Sequence, residues 1–493
     1  MMRICAILMI MLIAGIYFTA CNQANKEGEK LAEAHCQSCH RLPEPEALDK
    51  KTWFNYVLPK MGSFMGFGRF DNGAYFENGK VQASITIDDW NKIVNYYLNE
   101  APDSLEEKNK EPITIGLKNF DVSIPSFSTT NPATTYVGID KSKKMILFAD
   151  ALTQNIYRLS EKSEAVDSFQ TGQGMVNLNA NDSEMSTLSM GVLYPSDEKK
   201  GDLRAQGLQS HSSFILIDSL QRPVFADYYD LNGDHRQDIV ICEFGNLTGQ
   251  LSWFENLGNN KYLRHVLRSM PGSVRTEVRD LNGDGRPDII ALMAQGDEGI
   301  FIYYNKGNGV FEEKRVLQFP PYYGSNYFEL DDFNGDGHPD ILATNGDNGD
   351  YPPILKPYHG IRIYLNDGKN NFSEKVFLHM NGASKAIARD FDGDGDLDIA
   401  SISYFPDFDH VPEESFLYWE NKAPFSFHPY SCKEATLGRW LTMDAGDLDG
   451  DGYEDIILGN AKFPLGHVPD WLMAKWNRYS PSILILKNRG KAK

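Results

Sequence analysis

The sequence predicts a mainly β protein, a seven-bladed β-propeller preceded by a small all-α domain. Three observations carry this. A carboxylate-rich phrase recurs five times: "DLNGDHRQDIV" at 230, "DLNGDGRPDII" at 280, "DFNGDGHPDIL" at 332, "DFDGDGDLDIA" at 390 and "DLDGDGYEDII" at 447. Each phrase runs into a short apolar stretch with strand character, and successive phrases lie 50, 52, 58 and 57 residues apart. Segments with helical periodicity, by contrast, gather before residue 103.

In chain order, residues 1–20 come first: Arg3, an apolar run, then Phe18, Thr19 and Ala20, with Cys21 next. A charged start, a short apolar core and small residues describe an export signal, not a membrane span. The Cys directly after Thr-Ala resembles a bacterial lipoprotein signal. That resemblance implies cleavage before Cys21, lipidation of Cys21 and a membrane anchor made of several acyl chains. Asn22 after the Cys implies sorting to the outer membrane, on its periplasmic or cell-surface side.

Residues 21–103 form the expected helical domain. Cys36-Gln37-Ser38-Cys39-His40 is C-x-x-C-H, the attachment motif of c-type haem. Two thiols three positions apart on one turn can join both vinyl groups of a porphyrin, and His40 then faces the iron. A zinc half-site would need a second Cys pair, and a thioredoxin-like pair would need a following α/β domain. Neither is present in the sequence. Helices are predicted leading into the motif, over "PEALDKKTWFNYVLPKM" with Leu48, Trp53, Tyr56 and Val57 inward, and over 86–102. The last has Thr86 as N-cap, Asp89 three residues on, and an apolar face of Trp90, Ile93, Val94, Tyr97 and Leu98. The stretch resembles a short class I cytochrome c. The resemblance implies one covalent haem c held by Cys36, Cys39 and His40, with a Met as distal ligand. Met61 is preferred, from the run W-x-x-x-V-L-P-x-M, and Met65 is the alternative. Cys242 and Cys432 read as separate packed thiols.

A charged, Pro-bounded linker over 104–112 leads to the propeller at 113–493. Within each phrase, position 1 is Asp230, Asp280, Asp332, Asp390 or Asp447, and position 3 is Asn232, Asn282, Asn334, Asp392 or Asp449. Position 5 is Asp234, Asp284, Asp336, Asp394 or Asp451, and position 9 is Asp238, Asp288, Asp340, Asp398 or Asp455. Oxygen side chains at these places in a Gly-kinked loop make a cage for a hard cation. The backbone carbonyl at position 7 (Arg236, Arg286, His338, Asp396, Tyr453) completes it, and such a donor set selects Ca²⁺. An EF-hand is excluded because position 12 is never Glu and strands, not helices, flank the loop. Four strand-like runs per period are propeller grammar. The pattern resembles the FG-GAP/VCBS repeats of integrin-α-like β-propellers, over residues 112 to 493. Two further blades without the phrase read at 132–170 and 171–223, and "PITIGLKNF" (112–120) supplies the strand the last unit lacks.

The 493 residues carry a formal charge of −20, which excludes a broad nucleic-acid interface. Five Ca²⁺ would bring −20 to about −10, so the acidity is mostly a metal-site signature. The loops opposite the acidic phrases lengthen in the last three units and carry His359, His410, His467, Trp471 and Trp476. Two classes of function follow. In the first, the haem transfers electrons with a redox partner protein or a small-molecule donor or acceptor, and the propeller docks a surface protein or glycan. In the second, the propeller face is an oxidoreductase site and the haem accepts its electrons. No nucleotide fingerprint or nucleophile motif marks a catalytic residue.

Overall fold

The apolar runs fold into four-stranded antiparallel sheets. The computed structural model describes residues 25–38, 40–106, 110–180, 184–208, 212–349 and 354–490. The chain divides into two compact units. One comprises residues up to Lys108 with Pro320–Tyr322 and Ile354–Pro357, and the other comprises the remainder.

The larger unit is a seven-bladed propeller, with blades at 134–170, 175–220, 223–268, 273–318, 325–379, 383–431 and 440–488. In the five blades that carry the phrase, the second strand is buried along its whole length, as in Asp288–Met293 and Asp340–Asn345. Each lies between two neighbouring blades, so both faces must be apolar. Ile289, Ala291 and Met293 of the fourth blade, for example, pack with Val240, Cys242 and Trp253 of the third. Carboxylates on the innermost strands then join neighbouring blades. Glu277 Oε1 accepts the Leu330 N–H at 3.2 Å, and Asp444 Oδ2 accepts the Ile139 N–H at 2.9 Å. Glu329 Oε1 accepts the Ala388 N–H in the same way.

The ring closes through the chain's early residues, three or more positions later than expected. Phe120–Ser123, not the whole of 112–120, forms the outer strand of the last blade, antiparallel to Ile483–Asn488. Thr114–Ile115 instead adds to the sixth blade, parallel to Phe427–Ser431. Cys242 and Cys432 are buried thiols not bonded to each other. Burial raises both thiol pKa values, that of Cys432 to about 12.

The smaller unit has helices over 25–36, 50–64 and Ile87–Glu100. It is not all-α. Phe67–Arg69 and Tyr75–Glu77 pair as a hairpin around Asn72-Gly73, where Gly73 has φ of +90°. The last helix is capped as expected, with Thr86 Oγ1 accepting the Asp89 N–H at 3.1 Å. Trp90, Ile93, Val94 and Tyr97 are buried. Gly28 lets the first helix lie against the last, since a Cβ there would stand 2.4 Å from the Lys92 carbonyl oxygen. The middle helix widens to a π-turn over Trp53–Val57 just before Pro59, which has no N–H to give. Arg69 Nη1 donates to the Phe54 carbonyl instead, at 2.8 Å. The widened turn rotates the face: Leu48, Trp53 and Val57 are buried, but Tyr56, expected inward, is exposed. Among the described residues no helix is long and apolar enough to cross a membrane.

Candidate functional site

The five acidic loops share one construction. The position 1 carboxylate folds the loop over itself. Its Oδ1 accepts the position 5 N–H at 3.0–3.2 Å, and its Oδ2 accepts the position 6 N–H at 2.8–3.1 Å. The position 3 oxygen also accepts the position 5 N–H, at 2.9–3.2 Å. The position 5 Oδ1 accepts the N–H of Arg236, Arg286, His338, Asp396 or Tyr453 at position 7, at 2.8–3.2 Å. Short Asp and Asn side chains make this nest because they reach backbone two to five residues on. The consequence is a fixed cluster of oxygens at positions 1, 3 and 5. Where position 3 is Asp, three carboxylates converge: Asp390, Asp392 and Asp394, and again Asp447, Asp449 and Asp451, with ligand oxygens within 4.8 Å of one another.

The position 9 carboxylates are turned inward and are almost fully buried. In four loops Oδ2 accepts the position 2 N–H, as from Leu281 to Asp288 at 3.0 Å. In the loop at 390 the Tyr418 hydroxyl donates to Asp398 Oδ2 at 2.6 Å. Oδ1 accepts the N–H of an Asn ending the third strand: Asn256, Asn305, Asn366, Asn421 or Asn488, at 2.7–2.8 Å. The same Asn donates from Nδ2 to the carbonyl of position 8, at 3.0–3.4 Å. Sequence reasoning missed these Asn residues. Their signal was the repeated Asn in "FENLG", "YYNKG", "YLNDG", "YWENK" and "LKNRG". Burial raises the pKa of each position 9 Asp against the pull of these N–H donors, to about 7 for Asp398 and about 6 for Asp455.

The loops differ in what else surrounds them. His235, at position 6 of the first, has φ of +65°, the region Gly285, Gly337, Gly395 and Gly452 occupy in the others. The Arg236 and Arg286 guanidinium groups lie on the position 5 carboxylates of their own loops, Arg286 Nη2 at 2.5 Å from Asp284 Oδ2. Lys487 Nζ stands 2.7 Å from Asp449 Oδ2 and holds that carboxyl below its ordinary range.

In the smaller unit the helix over 25–36 ends on Cys36. Cys39 and Cys21 lie outside the described residues. His40 Nδ1 is 2.8 Å from the Arg41 carbonyl oxygen. A carbonyl only accepts, so Nδ1 is the donor in this contact, and in the neutral ring Nε2 then has the lone pair. Met61 is half-buried on the helix Leu58–Phe64, and Met65 caps it with Sδ 3.5 Å from Ser84 Oγ. Trp90 is 1% exposed, yet its Nε1 has no acceptor among the described residues.

The long loops of the later blades bring two of the histidines near acids. His410 Nδ1 is 3.0 Å from Asp407 Oδ1, and His467 Nε2 is 3.3 Å from Asp409 Oδ2. His359 is buried beside Tyr358. Among the described residues, the His/Cys/Asp/Glu groups able to hold a metal are the two Asp triads, so the three His do not form one.

Four overlapping windows of the chain, 230–291, 280–343, 332–401 and 390–458, match the family model of the FG-GAP-like repeat. Residues 230–458 are thus similar to FG-GAP repeats. Each window begins on the first Asp of one loop and ends within the strand that directly follows the next loop, the second of its blade. A T-cell immunomodulatory protein homolog of Plasmodium falciparum (isolate 3D7) is 33% identical over 37% of this chain. The chain spans about a third of that relative's length, 32%. Among solved structures, a chain in a complex of S. cerevisiae Dbp5 bound to Nup159 and Gle1 gives a TM-score of 0.44. Its identity is 10%, covering 77% of this chain and 97% of that one. A putative 6-phosphogluconolactonase from Bacteroides fragilis gives 0.40 at 12% identity, covering 60% and 82%.

Proposed function

We propose that this protein is an exported, lipid-anchored c-type cytochrome whose FG-GAP propeller is a calcium-stabilised binding module. The reading rests above all on His40. A proximal histidine needs Nε2 free for iron and Nδ1–H held by an acceptor, and the Arg41 carbonyl is such an acceptor. Cys36 and Cys39 would hold haem c covalently, Met61 would be its distal ligand, and the unpartnered Trp90 Nε1–H is a donor suited to a propionate. Bound there, the haem would supply one-electron transfer. The chain's own contribution is to hold the imidazole by Nδ1 and to anchor the segment after it, where Tyr97 Oη donates to the Pro43 carbonyl at 2.9 Å and Trp53 Nε1 to the Pro45 carbonyl at 2.7 Å. Lipidation of Cys21 would keep this redox unit at the outer membrane, in reach of a donor or acceptor. In the propeller, the oxygens of positions 1, 3 and 5 support Ca²⁺ at the five loops, with the remaining lone pairs of position 9 and the position 7 carbonyl as further ligands.

Expression with a cytochrome c maturation system tests the haem. One covalent haem with low-spin His/Met spectra is expected. Met61→Ala should abolish the long-wavelength Met–iron charge-transfer band and Met65→Ala should leave it. The reverse pattern would move the ligand to Met65, and a protein without covalent haem would end the reading.

A further inference from the structure

The first two blades lack the acidic phrase, and a cavity of 540 Å³ lies at their junction. It is lined by the turn after Asp150, the connection after Gln170 and the third strand of the second blade, Gly201–Gly207. Along that strand Asp202, Arg204 and Gln206 alternate, so they share one face. Asp202 and Gln206 are buried at 9% and 6% exposure. The Thr171 N–H donates to the Gln154 carbonyl at 2.8 Å and fixes the rim where the blades meet.

The wall is polar but electrically paired. Arg204 Nε and Nη2 donate to Asp202 Oδ1 and Oδ2 at 2.7 and 2.9 Å. Lys200 Nζ sits 2.5 Å from Glu198 Oε2. Neither cation is left over for an anion. The carboxamides of Gln154, Gln170, Gln173 and Gln206 line much of the rest, with Thr171 and Ser213, and among the described residues no aliphatic or aromatic side chain does. A carboxamide donates and accepts from one planar group, which matches vicinal hydroxyls. Beside Gly172 of the lining, Ser189 is fully buried and its Oγ has no partner among the described residues. Gly172 fits the backbone closely against it, since a Cβ there would stand 2.6 Å from that oxygen.

We propose that this inter-blade cleft binds a neutral saccharide of about two sugar units, held by carboxamide and hydroxyl contacts. Its volume is within the range of small-ligand pockets. A saccharide supplies the hydroxyls the wall can pair, and carries no charge that the paired Arg204 and Lys200 would have to release a partner to meet. This gives the binding module of the preceding reading a ligand class. It rests on that reading only for the module's role, and its test has no haem readout, so either can fail alone.

The experiment is saturation-transfer NMR and calorimetric titration of the full chain with lactose, maltose, cellobiose and N,N′-diacetylchitobiose, and separately with sulfate. At least one disaccharide should bind, and sulfate should not compete with it. Gln206→Leu, near-isosteric, should weaken that binding about tenfold, the worth of one neutral hydrogen bond. Gln170→Leu, at an exposed position, should weaken it as well and serves if the buried variant misfolds. The proposal is overturned if none of the four sugars binds, if binding survives Gln170→Leu undiminished, or if sulfate displaces the sugar.

Discussion

Asp288→Ala separates the two roles open to a position 9 carboxylate. Asp288 is 0% exposed. Its oxygens accept the Leu281 N–H at 3.0 Å and the Asn305 N–H at 2.7 Å. Removing them strands two backbone donors, one of them in a buried contact, at about 1–3 kcal/mol each. The expected loss is therefore about 2–6 kcal/mol, and it should appear whether or not a cation is bound. Asp288→Asn should lose roughly half as much, because its single oxygen can keep one of the two donors while the amide nitrogen faces the other. The assay is urea unfolding followed by tryptophan fluorescence, run in millimolar Ca²⁺ and again in EGTA. If the carboxylate served only as a calcium ligand, the variant and the parent would converge in EGTA. Convergence to within about 1 kcal/mol would refute the hairpin role.

His235→Gly should stabilise the propeller by about 1 kcal/mol, the cost of holding a side chain at φ of +65°. A thermal melt checks it, and an unchanged or lower melting temperature would show that His235 makes contacts worth more than its strain. Glu329 titrates near 7 because burial pushes it up, against the opposing pull of Arg389 and the Ala388 N–H. A raised carboxyl pKa means the folded state holds its proton longer, so this contribution to stability falls as pH rises from about 4.5 to 7. Glu329→Gln should flatten that slope, by up to about 3 kcal/mol across the window, in urea midpoints taken at each half pH unit. An unaltered slope would exclude Glu329 as its source.

The propeller was legible because its repeat is written twice, once in the Asp spacing and once in the apolar run that two neighbouring blades impose on the second strand. Position 9 was harder. An Asp in a phrase shows that an oxygen is there, not which way it faces, and its Asn partner lies 17 to 33 residues downstream. The closing strand was misplaced because "PITIGLKNF" was read as one strand, although Gly116, with φ of +127°, divides Thr114–Ile115 from Phe120–Ser123. The hairpin at 67–77 did carry a signal, Asn72-Gly73 between aromatic residues, which helical periodicity on both sides obscured. Tyr56 was placed inward by a 3.6-residue period that the π-turn before Pro59 breaks. The cleft was invisible, since it depends on residues from two blades that share no motif.

The strand that shuts the ring also decides how the propeller would bear a load. Phe120 pairs with Asn488, so the two ends of the domain meet in one blade, while the chain just upstream is pinned by Thr114 and Ile115 to the sixth. Tension arriving along the segment before Thr114 would first peel that two-residue parallel contact and only then reach the four-residue seam. The small pairing would thus serve as a strain relief, giving way before the circle behind it opens.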